Sequence, residues 1–201
     1  MAKNSLEKYR SKRNFRKTGE PKGKKSRKKG RPVFVIQKHD ASHLHYDFRL
    51  EIDGVLKSWA VPKGISTDPR VRRLAIMTED HPLEYADFEG VIPEGEYGGG
   101  TVLIWDEGTY RNLKEDNDGE PKKKSMTEAL DDGHLTVWLE GKKIKGGFAL
   151  IHTKSGAKDN WLLVKMDDDG ADRRRNPVST EPESVRSGRT LEEIARENDK
   201  T

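Results

Sequence analysis

The sequence predicts a mainly β protein: an antiparallel β-barrel of about eight short strands, with one or two short helices, a flexible basic N-terminal tail and a polar C-terminal tail. Three observations predict it. Short runs rich in β-branched and aromatic residues recur along the chain, separated by Gly, Asp and Pro turn signals, a pattern of antiparallel barrels or sandwiches and not of parallel α/β sheets. Asp53-Gly54 joins two of these runs as a two-residue hairpin. With 37% charged and 31% hydrophobic residues, the chain is too polar for all of it to enter a packed core, which leaves the ends as tails.

Taken in order, residues 1–31 form a basic arm with weak helical potential over Ser5–Arg13 and a Gly-, Pro- and Lys-rich remainder, expected to be flexible when free. The domain follows over residues 32–168. Val33–Gln37 reads as a buried strand. A bend at Asp40–Ser42 leads into strict alternation from His43 to Ile52, and Val55–Val61 returns antiparallel from the hairpin until Pro62-Lys63-Gly64 ends it. Leu74–Thr78 is the next strand. Glu89–Gly100 holds five glycines in twelve residues, which suits tight turns at a barrel corner; it lacks the Gly-Lys-Ser/Thr of a phosphate-binding loop. Thr101–Trp105, Thr109–Leu113, Leu135–Glu140, Gly147–Thr153 and Trp161–Met166 complete the strands, with a charged loop at 114–124 and a short helix at Ser125–Leu130. Residues 169–201 read as a tail with at most a helix begun by the capping box Thr190–Glu193.

The alternating run carries the chemistry. Leu44, Tyr46, Phe48, Leu50 and Ile52 form an apolar face, and His43, His45, Asp47, Arg49 and Glu51 form the other. Neutral imidazoles and a carboxylate are ligands for divalent cations, and neighbours at i and i+2 lie about 6–7 Å apart, near enough to share one ion. His39, of the same parity before the bend, completes a His-His-Asp set. Arg49, one step further on, has a planar fork suited to a phosphate. Such a face can also be merely solvated; what speaks against that is that His39, His43, His45 and His81, four of the six histidines, fall within 43 residues.

Composition narrows the class further. There is no run of about 18 apolar residues and no signal-peptide pattern, so a cytoplasmic protein is expected. The absence of cysteine excludes disulfide scaffolds, thiolate metal sites and thiol nucleophiles. Residues 1–31 hold 14 Lys and Arg against Glu7 and Glu20, a net of +12; since the chain carries +4, residues 32–201 carry −8. A basic arm of this kind suits a polyanion, and equally a solubility or localisation tail.

The runs at 37–50 (Gln-Lys-His-Asp-Ala-Ser-His-Leu-His-Tyr-Asp-Phe-Arg-Leu), 54–64, 78–98 (Thr-Glu-Asp-His-Pro-Leu-Glu-Tyr-Ala-Asp-Phe-Glu-Gly-Val-Ile-Pro-Glu-Gly-Glu-Tyr-Gly), 104–110 and Trp-Leu-Leu-Val-Lys at 161–165 closely resemble the phosphoesterase domain of bacterial and archaeal DNA ligase D. The resemblance implies a β-barrel with a Mn2+ site in a surface groove. It also implies removal of 3′-terminal ribonucleosides and 3′-phosphates from primer strands in end joining, alongside a DNA ligase, a repair polymerase and a Ku-like end-binding protein. No nucleotidyl-lysine motif (Lys-x-Asp-Gly) occurs, so a free-standing phosphoesterase is expected. Carried over residue by residue, the resemblance makes His39, His45 and Asp47 the metal ligands. Arg49 and Tyr85 become phosphate contacts, and His81 a transition-state stabiliser or general acid. Arg73, Lys63, Glu79, Gln37, Arg13 and Glu20 fall at further substrate-binding positions. Asn14 departs from the family, which has Asp there, and an amide can neither ionise nor act as a base.

Two other readings compete. Two histidines and one carboxylate on a β scaffold are also the ligand set of non-haem iron oxygenases. A non-catalytic nucleic-acid-binding barrel would stack bases on Trp59, Tyr85 and Tyr97.

Overall fold

The structure is a computed structural model and describes residues 6–23, 30–114, 124–153 and 159–198. In chain order it contains helix α1 (Glu7–Ser11), strands β1 (Val33–Asp40), β2 (Leu44–Ile52), β3 (Val55–Val61) and β4 (Arg72–Met77), and a 3-10 turn (Leu83–Asp87). Strands β5 (Gly90–Ile92) and β6 (Gly100–Asn112), helix α2 (Met126–Asp131), and strands β7 (His134–Gly141), β8 (Lys145–His152) and β9 (Asn160–Lys165) follow, then helices α3 (Pro177–Thr180) and α4 (Leu191–Asn198).

Eight strands close in the order β1-β2-β3-β4-β9-β8-β7-β6, all antiparallel, with β6 returning to β1; β5 adds to the outer part of β6. Closure leaves no edge among these eight, and it makes the fold a barrel, not a sandwich. The hairpin at Asp53-Gly54 sets the register. Both residues have positive φ, 52° and 77°, as a type I′ turn requires, and Ile52 faces Val55 across it. The alternation of β2 then places Tyr46, Phe48, Leu50 and Ile52 in the interior with Phe34, Ile36, Trp59, Trp105, Phe148 and Trp161, and turns His45, Asp47 and Arg49 outward.

Three differences from the sequence reading stand out. The runs 101–105 and 109–113 are one 13-residue strand, β6, so Glu107-Gly108 is not a turn. In its pairing with β1, Ile36 faces Asp106 and Gln37 faces Ile104, which leaves Trp105 as a bulge that bends the strand. Beyond the bend Gly108 pairs with both Phe34 and Gly141, where a side chain would meet the Glu140 carbonyl. The second difference is β5, within the glycine-rich stretch where only turns were expected.

The third concerns the tails, which are packed and not free over their described residues. Residues 6–23 lie on the outside of the barrel, where Leu6 and Tyr9 are buried with Val35, Val55, Leu56, Tyr85 and Ile104 in a second apolar cluster. At the other end Leu191 and Ile194 of α4 join the main core, and the Trp105 indole donates to the Glu181 carbonyl at 2.7 Å. The expected capping box at Thr190/Glu193 is present, and a second, at Ser125/Glu128, opens α2. The Lys-rich run at 24–29 and most of the charged loop at 114–124 lie outside the described residues.

Candidate functional site

The outward faces of β1, β2 and β3 form rows set by strand register: His39 opposite His45, Asp47 between Gln37 and Ala60, and Arg49 opposite Ser58. Directly paired side chains on one sheet face lie close together, so the pairing assembles His39, His45 and Asp47. One ligand atom from each of the three lies within 4.8 Å of the others. His39 Nε2 is 2.9 Å from the Gly98 carbonyl oxygen and His45 Nδ1 is 2.9 Å from that of His43. A carbonyl only accepts, so in a neutral ring these nitrogens carry the proton and leave the nitrogens that face Asp47, His39 Nδ1 and His45 Nε2 at 3.5 and 3.6 Å, open to a cation; in a protonated ring the same nitrogens donate to the carboxylate instead. Two imidazoles fixed by backbone carbonyls and one carboxylate, with the free pairs convergent, fit a divalent cation.

Electrostatics agree. Burial alone would raise the Asp47 pKa, but Arg49 and the two histidines outweigh it and hold the carboxyl well below its ordinary range, so it is ionised. Burial opposes the charged form of His45, and the Asp47 carboxylate overrides it, so its pKa is raised.

Arg49 is buried and almost fully engaged. Its Nε donates to Gln37 Oε1 at 2.7 Å and Nη2 donates to Asp47 Oδ2 at 3.0 Å, while Nη1 meets Ser58 Oγ and, at 3.0 Å, His81 Nδ1. The free bidentate fork expected from the sequence is thus already in use, and Arg49 offers its charge and a remaining Nη2 hydrogen. Gln37 is likewise spent: its amide donates to the Tyr85 and Phe88 carbonyls, so it orients Arg49 and does not line the pocket.

His81 is held in place by a two-bond bridge to Leu56, at 2.8 and 2.9 Å. Its ring lies between two guanidinium groups, with Arg13 Nη2 at 3.3 Å from Nε2. Burial first, then Arg49 and Arg13, hold its pKa well below the ordinary histidine value, so the imidazole is neutral. Tyr85, on the 3-10 turn, donates to Glu20 Oε1 at 3.0 Å, and burial raises its pKa well above the ordinary phenol range.

The packed N-terminal segment completes the wall. Arg13 reaches Glu20 at 2.8 Å and Glu79 at 3.1 Å, with its guanidinium 3.9 Å from the Tyr9 ring centroid. Glu79 also takes Lys12 at 3.1 Å and the Tyr97 hydroxyl at 3.4 Å. The resulting pocket, about 270 Å³, is lined by Arg13, His39, His45, Asp47, Arg49, Glu79, His81, Tyr85 and Tyr97 among others. Glu20 acts from behind Arg13 and Tyr85. Neither Lys63 nor Arg73 lines the pocket: Lys63 is exposed in the turn after β3, and Arg73 on β4 shares the inward face with Ala75, opposite Leu163.

Sequence reasoning missed Ser58, Tyr9 and the Gly98 carbonyl. Ser58 was within reach, because the Asp53-Gly54 turn fixes it opposite Arg49. Trp59 and Tyr85, the stacking residues of the binding-module reading, are buried, which leaves only Tyr97 exposed for that purpose.

Two histidines and an aspartate that could share a cation, flanked by the guanidinium groups of Arg49 and Arg13 on the wall of a closed β-barrel, are the class of site the fold presents. The chain belongs to the DNA ligase D 3′-phosphoesterase domain family, whose sequence pattern matches residues 37–152. Among its relatives are the multifunctional non-homologous end joining protein LigD of Pseudomonas aeruginosa, 49% identical over 191 residues (92% of this chain), and that of Mycolicibacterium smegmatis, 47% identical over 166 residues (80%). A LigD protein of Mycobacterium tuberculosis is 49% identical over 167 residues, again 80% of the chain. The chain spans 22%, 20% and 20% of these relatives' own lengths. Membership in a phosphoesterase family implies an enzyme that hydrolyses phosphate esters. No helix among the described residues is long and apolar enough to cross a membrane.

Proposed function

We propose that this chain heals DNA 3′ ends, removing a 3′-terminal ribonucleoside or a 3′-phosphate from a primer strand with Mn2+ held by His39, His45 and Asp47. The observation that carries the reading is the convergence of three ligand atoms, each anchored from behind, beside the buried guanidinium groups of Arg49 and Arg13. A bound cation would supply positive charge to polarise the ester and offset charge on the phosphate oxygens. Arg49 and Arg13 add to that field from the protein side. His81 is neutral in the free protein, which favours a hydrogen-bonding, transition-state-stabilising role over a general acid that starts protonated. Glu20 and Tyr85 hold Arg13 and the pocket wall in place. The two arginines suit a phosphate and have no evident use in an iron oxygenase. A DNA ligase, a repair polymerase and a Ku-like end-binding protein are the proposed functional partners.

The test is a 5′-labelled primer-template ending in one ribonucleotide or in a 3′-phosphate, incubated with Mn2+ or with EDTA. Metal-dependent loss of the ribonucleoside and release of phosphate are expected. Folded protein that leaves both ends intact with Mn2+ would sink the proposal, and oxygen-dependent turnover with Fe(II) would favour the oxygenase.

A further inference from the structure

A second concavity, about 580 Å³, lies on the N-terminal segment and is lined by Arg10, Arg13, Asn14, Phe15, Arg16, Lys22 and Gly23. Its size falls within the range of roughly 300–1,000 Å³ common for small-molecule sites. Its chemistry is one-sided: four cationic side chains, one aromatic ring and no carboxylate. Arg13 is committed to Glu20 and Glu79, but no ion pair to a carboxylate engages Arg10, Arg16 or Lys22 among the described residues. Phe15 is half-buried. It packs toward the second apolar cluster, 5.9 Å from the Tyr9 ring centroid, and also lines the concavity, with the Lys22 ammonium 5.9 Å from its own centroid. Arg13 lines both this concavity and the pocket of His39, His45 and Asp47, so the two adjoin at one residue.

We propose that this concavity is a nucleotide subsite, taking one nucleotide that flanks the scissile phosphate, its base against Phe15 and its phosphate among Arg10, Arg16 and Lys22. Aromatic faces accept any base, and clustered unpaired cations gain from phosphate neutralisation, so the subsite binds without reading sequence. The inference rests on the phosphoesterase reading for the direction of the strand, but binding needs neither metal nor turnover.

The experiment therefore measures equilibrium binding of a fluorescein-labelled primer-template in EDTA, by anisotropy, across a salt series. Arg16→Ala/Lys22→Ala is compared with Arg173→Ala/Arg174→Ala, a control that removes the same charge from exposed positions outside the concavity. The first pair is expected to weaken binding about tenfold or more and to lower the slope of log K against log salt by about one per lost phosphate contact; the control should change little. Phe15→Ala should weaken binding of the intact strand but not of one abasic at the flanking position, and Phe15→Trp should restore it. Equal losses in the two charge pairs would overturn the subsite. If Phe15→Ala does not fold, the charge pairs decide alone. Hydrolysis is scored separately: a protein that binds as expected but never cleaves would refute the phosphoesterase proposal and leave the subsite standing.

Discussion

Asp47 is the residue on which the pocket converges, facing both histidines and Arg49. Replacing His39, His45 or Asp47 with Ala is expected to abolish Mn2+-dependent hydrolysis, by at least about a hundredfold; unfolding temperature should stay near wild type for the two histidines, which leave the core closed, and fall for Asp47→Ala, which leaves the buried Arg49 charge unpaired. Wild-type turnover at saturating metal in any of the three would refute the assignment. Arg49→Lys keeps a charge but cannot reach Gln37, Ser58, His81 and Asp47 together, so turnover should fall far more than charge counting implies, again by about a hundredfold; near-normal kcat would reduce Arg49 to a distant field. His81 gives a pH prediction. Its folded pKa is depressed, so below about pH 6.5 the unfolded chain binds a proton that the folded one refuses. Its contribution is therefore full above that pH and is lost as pH falls through the folded value. In metal-free urea titrations, His81→Gln should lose stability less steeply below pH 6.5 than wild type, and equal slopes would mean that the ring takes up a proton freely. At this scale the sequence was legible wherever strand parity decides a side chain's direction, as at His45, Asp47 and Arg49. It was silent where a backbone carbonyl from a distant loop, such as that of Gly98, does the positioning.

At the scale of elements, the glycine-rich stretch joins the site to the barrel. Gly100 has a φ of 144°, and a Cβ there would collide with the Asp40 carbonyl, where β6 pairs with β1. The same stretch carries Gly98, whose carbonyl sets the His39 tautomer. Gly100→Ala should thus lower the unfolding temperature and, separately, weaken Mn2+ affinity measured by calorimetry. Loss of stability with unchanged affinity would show that the loop does not hold His39. Composition announced that this stretch bends, but not that three of its residues pair as β5, because a strand so short is fixed by the neighbour it finds on β6 and not by its own pattern. The merging of two expected strands into β6 has the same origin: Glu107-Gly108 looks like a turn locally, and pairing with β1 on one side and, from Gly108 on, with β7 on the other keeps it extended.

For the whole molecule, the sequence reading divided a charged arm from an acidic body, and the structure revises that division without removing it. Isolated apolar residues in a polar segment, such as Leu6 and Tyr9, show no periodicity, so their burial against the barrel was not legible; the +12 and −8 halves were. A purely electrostatic arm would be dispensable for a small substrate. Here, however, deleting residues 1–31 also uncovers Val35, Leu56 and Ile104 and takes Arg13 from His81 and Glu20 from Tyr85. The deletion should therefore depress hydrolysis of a small aryl phosphate as well as primer cleavage, and lower the unfolding temperature by several degrees, each buried large apolar side chain contributing about 1.5–3 kcal/mol. Salt separates the two contributions. Raising ionic strength leaves Tyr9 and Arg13 packed but screens the arm's attraction for DNA, with log K falling by about 0.9 per neutralised phosphate per decade of salt. In the full chain, salt should then weaken primer-template cleavage through KM with little change in kcat, and leave aryl phosphate hydrolysis nearly constant. Parallel salt dependence of both substrates would mean that the basic residues of the arm serve the pocket alone and contribute nothing to capturing the strand.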